Sequence, residues 1–211
     1  MLLPGPLRAP AAVLLSVCAA VTVPLAVVFA GHTRPSRLDA AVDPALWSSL
    51  GRLTVLLNVS NAAGLAVPVS LMTLALTVAC LVTRRWSGAV LAALATPVAS
   101  ALTELVLKPL VGRTIGGYDS FPSGHATVMF ALAATCSVLL LDPPGHRVPA
   151  AVRLLLACLA LLAATTVSLA MVAANAHYFT DVVAGAALGT AVVLACALTL
   201  DGLAVARWRV A

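Results

Sequence analysis

The stretch DSFPSGHATVMFALAATCSVLLL, residues 119–141, decides how the chain folds. From Ser123 to Leu141 it is an apolar run, and about 20 such residues cross the hydrocarbon core of a bilayer as a helix. Its mouth, however, holds Pro122, Ser123, Gly124 and His125. Proline suits a first helical turn, where its missing N–H is an orphan position anyway, and serine is a good cap. A helix opened in this way leaves N–H groups at the positive end of its dipole, an arrangement that binds phosphate. Gly124 allows close approach to the backbone, and His125 stands within reach of whatever those N–H groups hold.

The rest of the chain has the same character. Of its 211 residues, 62% are hydrophobic and only 9% charged, against about 25% charged in a soluble domain. Apolar runs predict spans at about 10–30, 62–82, 86–107, 123–141, 151–174 and 181–205. The expected fold is therefore all-α: one six-transmembrane-helix domain over residues 1–211, with no internal repeat. Between the first two spans, Asp43 and Pro44 read as a helix start. Leu46, Trp47, Leu50, Leu53 and Leu57 follow at helical spacing, which predicts an amphipathic interfacial helix. The segment DPPGHRVP, residues 142–149, reads as a tight turn. Cys18, Cys80, Cys136, Cys158 and Cys196 all lie in apolar runs without CxxC spacing and read as small buried residues.

Six spans put both termini on one side. That side carries seven basic residues, Arg8, Arg84, Arg85, Arg147, Arg153, Arg207 and Arg209, against five on the other, Arg34, Arg37, Arg52, Lys108 and Arg113. The positive-inside rule puts the termini in the cytoplasm. The loops KPLVGRTIGGYDSFPSGH and NAHYFTD then face outward, at the extracytoplasmic face of a cell membrane. The net charge of +5 is scattered, with no basic stripe or aromatic platform, and so does not point to nucleic acid.

Three pieces meet on the outer face: Lys108 with Arg113, then Ser123, Gly124 and His125, then His177 with Asp181. His177 and Asp181 lie four residues apart and share a helical face, so the carboxylate can orient the imidazole. Two imidazoles, a carboxylate, two cations and a helix N-terminus suit an anionic, phosphate-bearing substrate and phosphoryl transfer. Lys108 is the only lysine among twelve basic residues, which favours a chemical role over simple anchoring. Glu104, four residues earlier inside a span, reads as an ion pair that positions Lys108. Tyr118 and Asp119 read as loop residues, His32 and His146 as solvated, and Met171 as core. Gly185 and Gly189 form a small-xxx-small packing pair.

These pieces resemble the type-2 phosphatidic acid phosphatase family of integral-membrane lipid phosphatases. That family's pattern is Lys-x6-Arg-Pro, then Pro-Ser-Gly-His, then Ser-Arg-x5-His-x3-Asp. Pro122–His125 matches the second motif, His177 to Asp181 the end of the third, and Lys108 the start of the first. Where the first motif has Arg-Pro, this chain has Ile115 and Gly116, and where the third has Ser-Arg it has Ala170 and Met171. Two phosphate-binding arginines are thus absent, each such contact being worth about 1.5–3 kcal/mol. Arg113 is the expected substitute for one, and Asn175 the only nearby candidate for the other. The resemblance implies a six-helix fold, no metal or other cofactor, and a lipid phosphate as substrate, a polyprenyl carrier of cell-envelope synthesis being favoured. It also implies that His177 attacks phosphorus, that Asp181 orients it, and that His125 protonates the leaving oxygen. Lys108, Arg113, Ser123, Gly124 and the helix N–H groups would hold the phosphate. Expected partners are this substrate and membrane lipids, with oligomeric state left open. Because of the absent arginines, a non-catalytic binder of lipid phosphates is the alternative. A lipid flippase fits less well, since it would be expected to show internal repeats.

Overall fold

The computed structural model describes residues 1–141 and 148–210. The expected turn at 142–149, with His146 and Arg147, lies largely outside the described residues. The protein is an all-α membrane bundle. In chain order the helices are α1 (Gly5–Phe29), α2 (Arg37–Leu50), α3 (Thr54–Ala63), α4 (Ala66–Val82), α5 (Trp86–Ala101), α6 (Lys108–Val111), α7 (Gly124–Leu141), α8 (Ala150–Ala173) and α9 (Phe179–Val210). A π-helical turn, Leu102–Leu107, joins α5 to α6. Five helical stretches are long and apolar enough to cross a membrane, and α3 with α4, bent by 59°, makes a sixth if counted as one span.

α7 sits at the centre, packed against α5, α8 and α9. It is apolar all round, as a helix enclosed on every side must be. Leu91, Ala95 and Ala99 of α5, Ala131, Val138 and Leu139 of α7, and Leu188, Val192 and Val193 of α9 form its main core. α9 approaches α7 closely because it presents glycine. A Cβ at Gly185 would come within 2.5 Å of the Ser123 carbonyl oxygen, and one at Gly189 would overlap that of Thr127. α1 lies on the outside of α9, tied at one end by Asp201, whose carboxylate accepts from the Leu2 and Leu3 amides at 2.6 and 2.9 Å. The N-terminus and the far end of α9 therefore share one end of the bundle. At the other end, Gly31 N–H donates to Val111 and Thr114 N–H to His32, so the α6 loop is stitched to the exit of α1.

Three expectations are corrected here. The helix before the second span starts at Arg37, not Asp43: Ser36 and Asp39 form a reciprocal capping box, and Pro44 lies inside α2. That helix ends at Leu50, so Leu53 and Leu57 belong to the cap and body of the separate α3. Its carboxylates also do not face solvent, since Asp39 and Asp43 are buried against the start of α9. Trp47 fastens α2 from the other side, its indole N–H donating to the Val172 carbonyl at 2.8 Å. The expected loop at 114–119 forms a small hairpin, Thr114–Ile115 against Tyr118–Asp119, closed by Gly116 and Gly117. All five cysteines are free, and Cys158 is exposed on the outside of α8 rather than buried.

Because Gly189 faces backbone, its neighbours cannot yield by a rotamer change. Gly189→Val should destabilise the bundle by about 1–3 kcal/mol, read as a lower unfolding midpoint in detergent, whereas the same change at Gly202, which has open space around it, should leave the midpoint nearly unchanged.

Candidate active site

The site is assembled at the end of the bundle opposite the termini, where three breaks in helical structure meet. The first is the π turn before α6. Pro109 has no N–H to donate to the preceding turn, and the wider π spacing, a frequent mark of functional sites, carries Glu104 and Lys108 to one side. Their side chains form an ion pair, Lys108 Nζ donating to Glu104 Oε2 at 2.8 Å. The helix then ends at Gly112, whose left-handed φ of 60° turns the chain inward.

The second break lies between α3 and α4. Gly64 sits against the imidazole of His125, where any Cβ would overlap the ring. The ring's Nε2 donates to the Asn61 carbonyl at 3.1 Å. The bend at Gly64 thus makes room for His125 and anchors it. The third break is the start of α7. Ser123 is the cap, its hydroxyl accepting from the Ala126 amide at 3.4 Å, and its own N–H donates to the Asp181 carbonyl at 3.0 Å.

His177 lies in the short link from α8 to α9. Its Nδ1 donates to the Ser120 carbonyl at 2.9 Å, which leaves the lone pair on Nε2. Burial chiefly, then the positive charge of Lys108 and the neighbouring His125, push its pKa down to about 4. The ring is therefore neutral at neutral pH, the state a nucleophile requires.

One cavity of about 1260 Å³ joins these parts. Glu104, Lys108, Gly124, His125, Asn175 and His177 line its mouth, and the hairpin residues Ile115, Gly116, Tyr118 and Asp119 overhang it. It continues between α4 and α5, past Val69, Ser70, Thr73 and Thr77 on one side and Ala93, Pro97 and Ala101 on the other. Ile115, where the resembled pattern has arginine, thus lines the cavity, while Met171, at the second such position, is buried at 2% exposure.

Arg113, Ser123 and Asp181 do not line it. The expectation that Arg113 holds phosphate is corrected. Its side chain is fully buried, and its guanidinium donates to Asp39 at 2.7 Å and to Asp181 at 2.5 Å. It also donates to Thr180 Oγ1 at 2.7 Å and stacks between the rings of Phe29 and Tyr178, at 3.9 and 4.4 Å. With its cation neutralised twice over and enclosed, it cannot reach a ligand in the cavity. The Ser123 side chain is likewise fully buried in its capping role. Asp181 stands 3.9 Å from His177 Nδ1; the closer acceptor is the Ser120 carbonyl. Asp181 instead spends its oxygens on Arg113 and on the Tyr178 amide.

Asp39, which the sequence reading passes over, and Asp43, which it reads as the start of a helix of its own, cap α9. Asp39 Oδ1 accepts from Thr180 N–H at 2.9 Å and Asp43 Oδ1 from Phe179 N–H at 3.2 Å. Burial opposes ionisation of Asp39, yet the amides of Ser36 and Thr180 and the Arg113 guanidinium outweigh it and hold its pKa low. Asp43, with burial dominant and a single amide donor, is pushed up to about 6. A signal was present, because acidic residues in a chain this apolar need partners, and the pair lies four residues apart on one helical face.

Residues 9–203 match the model of the PAP2 superfamily. The chain belongs to that superfamily. Its members are phosphatases acting on phosphate esters, and this chain is a membrane phosphatase by family. No curated protein and no solved structure matches it. Among the described residues no group of three His, Cys, Asp or Glu side chains is placed to hold a metal ion.

Removing the Arg113 guanidinium leaves two buried carboxylates uncompensated. Arg113→Ala should therefore cost about 3–5 kcal/mol of stability, seen as a sharp fall in unfolding midpoint or in the yield of folded protein. A variant of wild-type stability that had merely lost phosphate affinity would contradict this placement.

Proposed function

We propose that the protein hydrolyses a lipid phosphate through a covalent phosphohistidine. The observation that carries this reading is that the imidazoles of His125 and His177, from segments more than fifty positions apart, line one cavity together with Lys108 and the first residue of α7. His177 Nε2 attacks phosphorus, the phosphorus–oxygen bond to the lipid breaks, and His125 delivers a proton to the departing oxygen. Water then attacks the phosphohistidine, with His125 taking its proton. Phosphate leaves, and His177 is restored with Nδ1–H still donating to Ser120. Asp181 acts on His177 at one remove, through Arg113 and the loop that carries Ser120. Lys108 and the N–H groups of the α7 terminus hold the phosphate oxygens.

The continuation of the cavity between α4 and α5 supports a lipid rather than a soluble ester, since an acyl or prenyl chain can leave the site sideways into the bilayer. The excess of basic residues on the side of the termini supports an extracytoplasmic site in a bacterial cell membrane. Among lipid phosphates, a polyprenyl carrier of envelope synthesis remains the favoured substrate.

A second reading has its own observation. Among the described residues no guanidinium faces the cavity, and a site short of cations suits a non-catalytic binder of lipid phosphates. A phosphate-release panel separates the two, with polyprenyl phosphate and diphosphate, phosphatidylglycerophosphate and phosphatidic acid presented in detergent micelles. Release from at least one lipid is expected, falling by at least about 10²-fold in His125→Ala and further in His177→Ala. Binding of every lipid without release would establish the binder.

A further inference from the structure

The Glu104 carboxylate occupies an unusual position. One of its oxygens, Oε2, takes the Lys108 ammonium at 2.8 Å. The other, Oε1, lies over Gly124 so closely that a Cβ there would come within 2.5 Å of it. Lys108 Nζ lies 3.9 Å from the same point. Gly124 is the first residue of α7, and its N–H, with that of His125, is among the orphan donors that every helix start carries. Among the described residues neither amide has a protein acceptor. The protein's own carboxylate thus holds the Lys108 ammonium and crowds the first residue of α7 without accepting from either amide. Glu104 is not locked there by packing, its side chain being 45% exposed.

We propose that Glu104 is an internal competitor for the phosphate subsite: it engages Lys108 and crowds the start of α7 in the empty protein, is displaced by the substrate's phosphoryl group, and returns as inorganic phosphate departs. The inference rests on reading the cavity as a phosphate site. It gives Glu104 a role opposed to that of a prop for Lys108. A prop strengthens phosphate binding, whereas a competitor weakens it and limits inhibition by the released product. The carboxylate makes this possible through its charge and its reach to Gly124. The glutamine isostere keeps the reach and loses the charge.

The two roles predict opposite signs in one measurement. Inorganic phosphate is titrated calorimetrically into the purified full-length chain in detergent, as wild type, Glu104→Gln and Glu104→Ala, with unfolding midpoints recorded alongside. Both variants should bind phosphate about tenfold more tightly or better, on the scale of one charge-assisted contact, and should unfold near the wild-type midpoint. Where the lipid panel gives turnover, the inhibition constant of inorganic phosphate should fall by the same factor. Phosphate affinity unchanged or weakened in both variants would overturn the proposal, as would an absence of binding in all three proteins. The titration does not depend on turnover, so a wild type that releases no phosphate from any lipid refutes the phosphatase mechanism while leaving the Glu104 comparison to be read on its own terms.

Discussion

The buried guanidinium of Arg113 is the constraint on which the working end of this molecule depends. It bridges Asp39 of α2 and Asp181 of α9 between aromatic rings contributed by α1 and by the link to α9. A charge can be buried this deeply only if it is paired and hydrogen-bonded, and the pairing fixes where three helices and one loop must lie. The loop transmits that position further. The Arg113 carbonyl accepts the Ser120 amide at 2.8 Å, and the Ser120 carbonyl in turn holds Nδ1 of His177. A residue with no access to the cavity thereby sets the orientation and tautomer of one that faces it.

The same economy of charge shapes the cavity. Family resemblance leads one to expect arginines around the phosphate, but here one position is Ile115 in the hairpin and another is the buried Met171. The cationic side chain at the mouth is Lys108, already shared with Glu104. In the proposed reaction backbone groups carry more of the burden: the Ser120 and Asn61 carbonyls fix the two imidazoles, and the amides at the start of α7 would offer hydrogen bonds to an anion. Such donors are aimed in advance by the fold and need no reorganisation when charge develops on a transferring phosphoryl group.

Much of this was legible in the sequence, and for identifiable reasons. Apolar runs locate the spans to within a few residues because a bilayer demands length and hydropathy of every crossing segment. Pro122–His125 announced the start of α7, since proline, serine and glycine at a helix mouth act locally. The glycines at 185 and 189 likewise declared a close helix contact. What stayed hidden was long-range. Nothing near Arg113 reveals that its partners lie 74 residues before it and 68 after it. The bend at Gly64 has its reason in the ring of His125, which arrives from another helix. Asp43–Pro44 looked like a helix start because the local rule is sound. The capping box at Ser36 and Asp39 overrode it about two turns earlier and left Asp43 to cap a different helix.

The most direct test of this account is a high-resolution structure of the protein with orthovanadate, a phosphoryl-transfer mimic, in the cavity. Vanadium within bonding distance of His177 Nε2, with His125 beside an equatorial or apical oxygen and Arg113 still between Asp39 and Asp181, is the expected result. Vanadate held by an Arg113 side chain that has swung out of its carboxylate pair, or bound away from His177, would contradict it.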